Sequence, residues 1–146
     1  FSYSATVAEP EIIGLVPDGF RVNIYVTGGD VRAPDGTLIG NVRGVGGDWL
    51  IIRPDNKGKL DVRATVETHD GSLLYVTYSG FVDLGEGAYE NLVKKGTLPA
   101  KATIRTAPQV CTSSPPFAWV NGCQFVSVGE AHFDQSFVTY ETYAMR

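Results

Sequence analysis

Short segments of alternating apolar and polar residues, separated by turns, constrain this chain more than any other feature. In one segment Phe20, Val22, Ile24 and Val26 share a face, and mostly polar residues fill the positions between them. A repeat of two is that of a β-strand, whose successive side chains point to opposite faces. Turn signals recur about every ten residues with almost no helical pattern, which predicts an antiparallel sandwich or barrel.

The alternation and the turns divide the chain into nine predicted strands and one helix. The strands are expected over 1–7, 11–16, 19–27, 49–53, 59–67, 72–79, 102–107, 124–128 and 136–145. Gly28-Gly29-Asp30 is expected to end the third strand. The helix is expected over Gly87–Lys95, with Gly96 as its C-terminal cap. No repeat or linker interrupts the pattern, so residues 1–146 are interpreted as one all-β domain, a single antiparallel barrel.

The pattern leaves open which face of each strand is inside. If the polar and aromatic face lines the interior, the barrel is a ligand container whose apolar exterior needs cover from the helix or a second subunit. If the apolar face lines it, the barrel is filled and a site lies at its mouth.

Composition excludes several classes of function. The net charge of −4 does not favour binding to nucleic acid or to acidic membranes, which are themselves negatively charged. No apolar run approaches the roughly 18–20 residues that span a bilayer, so membrane insertion is not expected.

Two cysteines bear on the redox environment. Cys111 and Cys123 flank a Ser-Ser-Pro-Pro loop, and a disulfide between them is expected, with a pair of free cysteines as the alternative. A disulfide together with Phe1 as the first residue predicts a processed protein of the secretory pathway, with a cytoplasmic location as the alternative.

Metal and nucleophile motifs are absent from the sequence. The two histidines, His69 and His132, have no metal-binding spacing, and neither a Gly-x-Ser-x-Gly motif nor a phosphate-binding glycine loop occurs. We therefore expect no metal and no cofactor.

The densest group of functional side chains follows Gly46-Gly47. Asp48 and Trp49 come at once, and Arg53 ends the following apolar strand. These residues either line a binding cavity or form a bulge at a sheet corner.

Other candidates have two interpretations each. Asp61 and Arg63 share a strand face, either as a solvent-facing ion pair or as a cavity acid whose pKa the arginine lowers. Strand tyrosines are either packing residues or phenol donors. Phe117 and Trp119 either form the lip of a cavity or anchor their loop. The candidate catalytic residues are Asp48, Asp61, Arg63 and Tyr75, and the candidate substrate-binding residues are Arg21, Tyr25, Trp49, Arg53, Tyr78, Arg105, Phe117 and Trp119.

The whole chain resembles a family catalogued as domain of unknown function 3237. The segments that carry the resemblance include Gly46–Trp49, Leu60–Thr65, Asp70–Val76 and Ala118–Asn121, and the Gly-Gly-Asp-Trp and Leu-Asp-Val-Arg blocks are the most specific. The resemblance implies a compact antiparallel β-barrel of calycin or allene-oxide-cyclase type that forms a homodimer. It implies no activity, and the two cysteines depart from the family pattern.

The combined hypothesis is a cofactor-independent cyclase or isomerase that holds an apolar natural-product substrate in the barrel. Such chemistry needs positioning and one acid or donor, but neither metal nor nucleophile. The alternatives are a non-catalytic carrier of a small molecule, and a lyase or dehydratase that uses the same groups.

Overall fold

The protein is a closed β-barrel with a short helix at one end. The computed structural model describes residues 1–146 and contains eleven strands. The strands are β1 (Ser2–Val7), β2 (Glu11–Val16), β3 (Gly19–Arg32), β4 (Leu38–Val42), β5 (Gly47–Ile52), β6 (Lys57–Thr68), β7 (Leu73–Asp83), β8 (Lys101–Thr106), β9 (Gln109–Cys111), β10 (Gln124–His132) and β11 (Phe137–Met145). Helix α1 covers Ala88–Lys95, and a 3₁₀ helix covers Pro115–Gly122.

Antiparallel pairing closes the sheet on itself. The ring runs β1–β3–β5–β6–β7–β8–β10–β11 and returns to β1. The three remaining strands extend it, since β2 pairs with β3, β4 bridges β3 and β6, and β9 pairs with β7. Closure leaves few unpaired strand edges. The predicted barrel is confirmed.

The apolar face of the strands lines the interior. Phe20, Val22 and Ile24 of β3 point inward and pack with Leu50 and Ile52 of β5 in the main core cluster. Their polar neighbours lie on the outer surface. Of the two arrangements that the sequence left open, the structure has the one with the apolar face inside.

The two barrel ends are closed differently. Helix α1 covers one end, where Ala88 and Leu92 join the core beside Leu84. The helix ends where Gly96 adopts φ 66° and its N–H donates to the Leu92 carbonyl, as the sequence predicted. The 3₁₀ helix lies at the opposite end. No helix is long and apolar enough to cross a bilayer.

Several elements differ from the sequence prediction. The expected end of the third strand at Gly28-Gly29-Asp30 is wrong, because β3 continues to Arg32 and pairs through the glycines with β1. The prediction also lacked the short strands β4 and β9 and the 3₁₀ helix. Strand β4 pairs with this extension of β3. The prediction treated Gly28-Gly29 as the end of a strand. In the structure the two glycines lie within β3 and allow it to approach β1 closely.

The expected disulfide is not formed, and both cysteines are free. The loop between them is closed instead by Asn121, whose amide accepts a bond from the Thr112 N–H at 2.8 Å and donates to the Thr112 carbonyl at 2.9 Å. The Cys123 thiol lies 3.7 Å from the Met145 carbonyl, while Cys111 is exposed. The secretory location loses this support and stays a prediction, as does the homodimer.

Gly129 leaves the space that one of the inner aromatic rings occupies. It pairs with Tyr140 of the neighbouring strand, and a Cβ at Gly129 would lie 2.5 Å from the Tyr140 ring. We expect Gly129→Ala to displace this ring and to lower the free energy of unfolding by about 1–3 kcal/mol. Urea denaturation measures the change.

Gly122→Ala is the matched control, because a Cβ at Gly122 meets no atom within 4 Å. Its effect should stay within about 0.5 kcal/mol. Equal unfolding midpoints for the two variants would contradict the packing described for Tyr140.

Candidate active site

The barrel interior contains two cavities. The acid chamber is the cavity of about 50 Å³ that Asp48 lines together with Leu50, Val62 and Tyr140. The apolar chamber is the cavity of about 130 Å³ lined by Val66, Val76, Phe117, Trp119 and Phe125 among other mostly hydrophobic residues. Tyr78 lines both, so its ring lies between them.

Asp48 brings a carboxyl group to the inner face of β5. Gly46, with φ 86°, turns the chain immediately before the strand, where its backbone passes so close to β6 that a Cβ would lie 2.2 Å from the Arg63 carbonyl oxygen. Asp48 then faces Ile24 of β3 and Val62 of β6 across the ladder. The turn that precedes Asp48 therefore sets the register that points its carboxyl inward.

A gap in the ladder between β5 and β6 holds this carboxyl in place. The strands pair at Asp48 with Val62 and again at Ile51 with Lys59. Between these pairs the Asp61 N–H donates to Asp48 Oδ1 at 3.0 Å. On the outer side of the barrel, Arg21 Nη1 donates to the Trp49 carbonyl at 3.0 Å. Side chains therefore bond backbone groups at the positions where the ladder is interrupted.

Burial dominates the ionisation of Asp48. The pKa of its carboxyl is raised from 3.8 to about 7, and desolvation is the largest cause. The Asp61 N–H and the Arg21 charge oppose the shift, while the negative charge of Asp61 adds to it. A carboxyl with a pKa near neutrality exists in both protonation states at physiological pH. It can both accept and donate a proton there.

Three tyrosines form a layer between the chambers. The Tyr3 and Tyr140 rings stack with centroids 4.6 Å apart, and Tyr78 meets Tyr140 edge-on at 5.6 Å. The Tyr78 hydroxyl donates to the Tyr140 hydroxyl at 3.3 Å, which leaves the Tyr140 proton free for another acceptor. Burial raises the pKa of all three phenols well above 10, so they remain protonated donors.

The structure places the sequence-predicted site residues in two groups. Asp48, Tyr78, Phe117 and Trp119 line the chambers. The others lie on the outside of the barrel or along its rim, and they are Arg21, Tyr25, Trp49, Arg53, Asp61, Arg63, Tyr75 and Arg105.

The outer residues make surface interactions. Asp61 and Arg63 form the solvent-facing ion pair at 3.2 Å, with 60 % and 51 % of their side chains exposed, and Arg63 also lies over the Trp49 ring. Arg53 pairs with Asp55, and the Tyr25 hydroxyl donates to Glu11. Arg105 donates to the Ile104 carbonyl, and Tyr75 lines an outer groove. Of the two interpretations of Asp61 and Arg63, the structure has the solvent-facing ion pair and not the buried cavity pair.

Sequence reasoning missed Tyr3 and Tyr140. The signal was present for Tyr3, which alternates with Phe1 and Ala5 on one face of the first strand. Tyr140 lies in the last strand, two positions before Thr142, which is also buried. Once the apolar face is known to point inward, the period of two places both phenols inside.

The chain belongs to the family described as "Protein of unknown function (DUF3237)", which matches residues 1–145. Two UPF0311 proteins are similar to it in sequence. RPA1785 of Rhodopseudomonas palustris is 28% identical over 137 residues, covering 92% of this chain and 88% of the relative. CA_C3321 of Clostridium acetobutylicum is 32% identical over 131 residues, covering 86% and 80%.

Solved structures of other proteins have a similar fold. The crystal structure of the R. palustris protein RPA1785 has a TM-score of 0.83 at 26% identity and covers 99% of this chain and 93% of that one. A β-barrel-like protein of Acinetobacter baumannii has a TM-score of 0.81 at 24% identity, with coverage of 99% and 92%. An enzyme from Penicillium herquei has a TM-score of 0.62 at 18% identity, with coverage of 98% and 90%. The last two show the fold alone.

The raised pKa of Asp48 makes stability depend on pH in a defined direction. Below pH 3.8 the carboxyl is neutral in the folded and unfolded chains, and its contribution to stability is complete. As pH rises towards 7 the unfolded chain ionises while the folded chain keeps its proton, so the free energy of unfolding falls by about 1.4 kcal/mol per pH unit. The total loss, complete above pH 7, is roughly 4 kcal/mol.

Urea denaturation at pH 5 and pH 8 measures this loss. The wild-type protein should lose about 2–3 kcal/mol more than Asp48→Asn, which cannot ionise. Asp18→Asn, at an exposed carboxyl away from the acid chamber, should keep the wild-type dependence. The assignment is contradicted if wild type and Asp48→Asn lose the same stability over this range.

Proposed function

We propose that the protein is a cofactor-independent enzyme of the isomerase or cyclase type, which moves a proton on an apolar substrate held inside the barrel. The observation that carries the proposal is Asp48, a carboxyl with a pKa of about 7 that faces an otherwise hydrophobic cavity. Strongly perturbed carboxyls in cavities are characteristic of catalytic acids and bases. The fold neighbour from P. herquei is an enzyme, which agrees with the proposal.

The geometry suits proton transfer next to a carbonyl group. The Asp48 carboxylate removes a proton from the carbon beside the carbonyl. The electron pair of the broken C–H bond forms a C=C bond, and the π pair of the C=O bond moves onto oxygen to give an enolate. The Tyr140 hydroxyl lines the same chamber and has its proton free to donate to the enolate oxygen. A hydrogen-bond donor held at a developing oxyanion typically stabilises it by roughly 3 kcal/mol.

Two outcomes follow from the same enolate. If the substrate also has a C=C bond conjugated with the enolate, protonated Asp48 can return the proton to the far carbon of this dienolate. The C=C bond then shifts, and the reaction is an isomerisation. If the enolate attacks an electrophilic carbon of the same molecule, a ring closes and Asp48 gives its proton to the alkoxide or carbanion that results. Both reaction paths balance without an oxidant, a reductant or a second substrate.

A nitrobenzisoxazole tests whether Asp48 acts as a base towards an apolar molecule. A base removes the ring C–H proton, the N–O bond breaks, and a coloured cyanophenolate forms. We expect turnover by the wild-type protein that rises with pH through about 7 as Asp48 ionises. Asp48→Asn should lower kcat/KM about a hundredfold at pH 8, since a general base contributes roughly 10²–10⁴ in rate.

Arg63→Gln is the matched control, because Arg63 lies on the outer surface. It should leave the rate within about twofold of wild type. If the wild-type protein binds the probe without turning it over, the protein is a carrier and the proposal fails. If Asp48→Asn keeps the wild-type kcat, Asp48 is not the base and the proposal fails as well. Equal loss of activity in both variants would move the site to the outside of the barrel.

A further inference from the structure

The acid chamber alone is too small for a substrate. Its volume of about 50 Å³ compares with roughly 30 Å³ for each molecule of liquid water. The apolar chamber, at about 130 Å³, is close to the roughly 150 Å³ of an apolar cavity that binds benzene. An aromatic ring therefore fits the second chamber and not the first.

The wall of the apolar chamber is hydrophobic. Val66, Leu74 and Val76 contribute aliphatic surface from β6 and β7, and Phe117 and Phe125 contribute rings. No polar atom of the wall is exposed to the chamber. The Thr68, Thr142 and Tyr78 hydroxyls bond Asp70, Ser127 and Tyr140, and the Tyr3 hydroxyl is buried without a partner. A buried ligand hydroxyl in this chamber would have no partner, which costs about 1–3 kcal/mol in proteins.

A covering segment separates the apolar chamber from solvent. The lid, residues 112–121, contains most of the 3₁₀ helix and contributes Phe117, Trp119 and Val120 to the wall. Two hydrogen bonds between Asn121 and Thr112 hold its base, and the Ser114 hydroxyl lies 2.8 Å from that of Ser72, the residue before β7. Trp119 itself is 45% exposed, so one face of the lid is in solvent.

We propose that the apolar chamber is the binding site for a non-polar, ring-sized part of the substrate, whose reacting end lies in the acid chamber. Tyr78 is the wall shared by the two chambers, and its bond to Tyr140 is long at 3.3 Å. Rotation of this ring joins the chambers. The substrate class is thus a molecule with a hydrocarbon ring at one end and an acidic C–H group at the other. The assignment of both chambers to one molecule rests on the proposed function.

Toluene tests the apolar chamber without requiring turnover. In a Trp49→Phe background the remaining tryptophan is Trp119, whose fluorescence reports on the chamber it lines. We expect a saturable fluorescence change with toluene. Phenol should bind about tenfold more weakly, because its hydroxyl would lose its hydrogen bonds to water inside the chamber.

Two filling variants locate the binding. Ala64 and Val110 line the apolar chamber from different strands, so Ala64→Phe and Val110→Phe should each weaken toluene binding at least tenfold. Val128→Phe adds the same ring on the exposed surface and should leave binding unchanged. Two such variants keep the test valid if one of them does not fold.

The outcomes separate the two proposals. Toluene binding that Asp48→Asn retains and the filling variants lose supports the apolar chamber, even if the nitrobenzisoxazole is not turned over. Competition between toluene and the nitrobenzisoxazole supports one substrate across both chambers. No saturable signal with toluene, equal affinity for phenol, or unchanged binding in both filling variants overturns the inference.

Discussion

The burial of one carboxyl group within a closed apolar barrel determines both the chemistry of the interior and the pH dependence of the fold. Removing a carboxylate from water is costly unless it is paired or takes up a proton. Asp48 has a single backbone N–H donor from Asp61, and this bond does not offset the desolvation. The carboxyl therefore keeps its proton up to about neutral pH. The same imbalance gives the fold a pH-dependent cost and the interior a proton donor and acceptor.

The barrel arranges its interior in layers along its axis. Next to helix α1 the space is filled by apolar side chains such as Leu84 and Leu92. The acid chamber, the tyrosine layer and the apolar chamber follow in that order, since Tyr78 borders both cavities, and the lid closes the far end. Filled packing near the helix stabilises the fold, whereas the incompletely filled half provides space for a ligand.

Sequence alone predicted the barrel because period-two alternation and turns are local signals. It could not decide which face is inside, since β3 and β6 carry polar or charged residues on the other face that resemble the lining of a ligand-binding barrel. That choice depends on how distant strands close into a ring. For this reason Asp61 and Arg63 looked equivalent to Asp48, although register places only Asp48 inside.

The sequence did not predict the lid or the tyrosine layer, and the reasons differ. Cys111 and Cys123 suggested a covalent closure of the loop, and nothing local revealed that Asn121 closes it with two hydrogen bonds. Tyr3 and Tyr140 lie at opposite ends of the chain and meet only because β1 pairs with β11. Contacts between residues so far apart in sequence carry no signature in a single chain.

The most direct test of the central claim is the titration of the aspartate carboxyl carbons by ¹³C NMR, with Asp48→Asn used to assign the signal. One aspartate signal should titrate with a midpoint of about 7 and should be missing in the variant. If every aspartate carboxyl in the folded protein titrates below about pH 5, Asp48 is an ordinary ionised carboxylate and the account is contradicted.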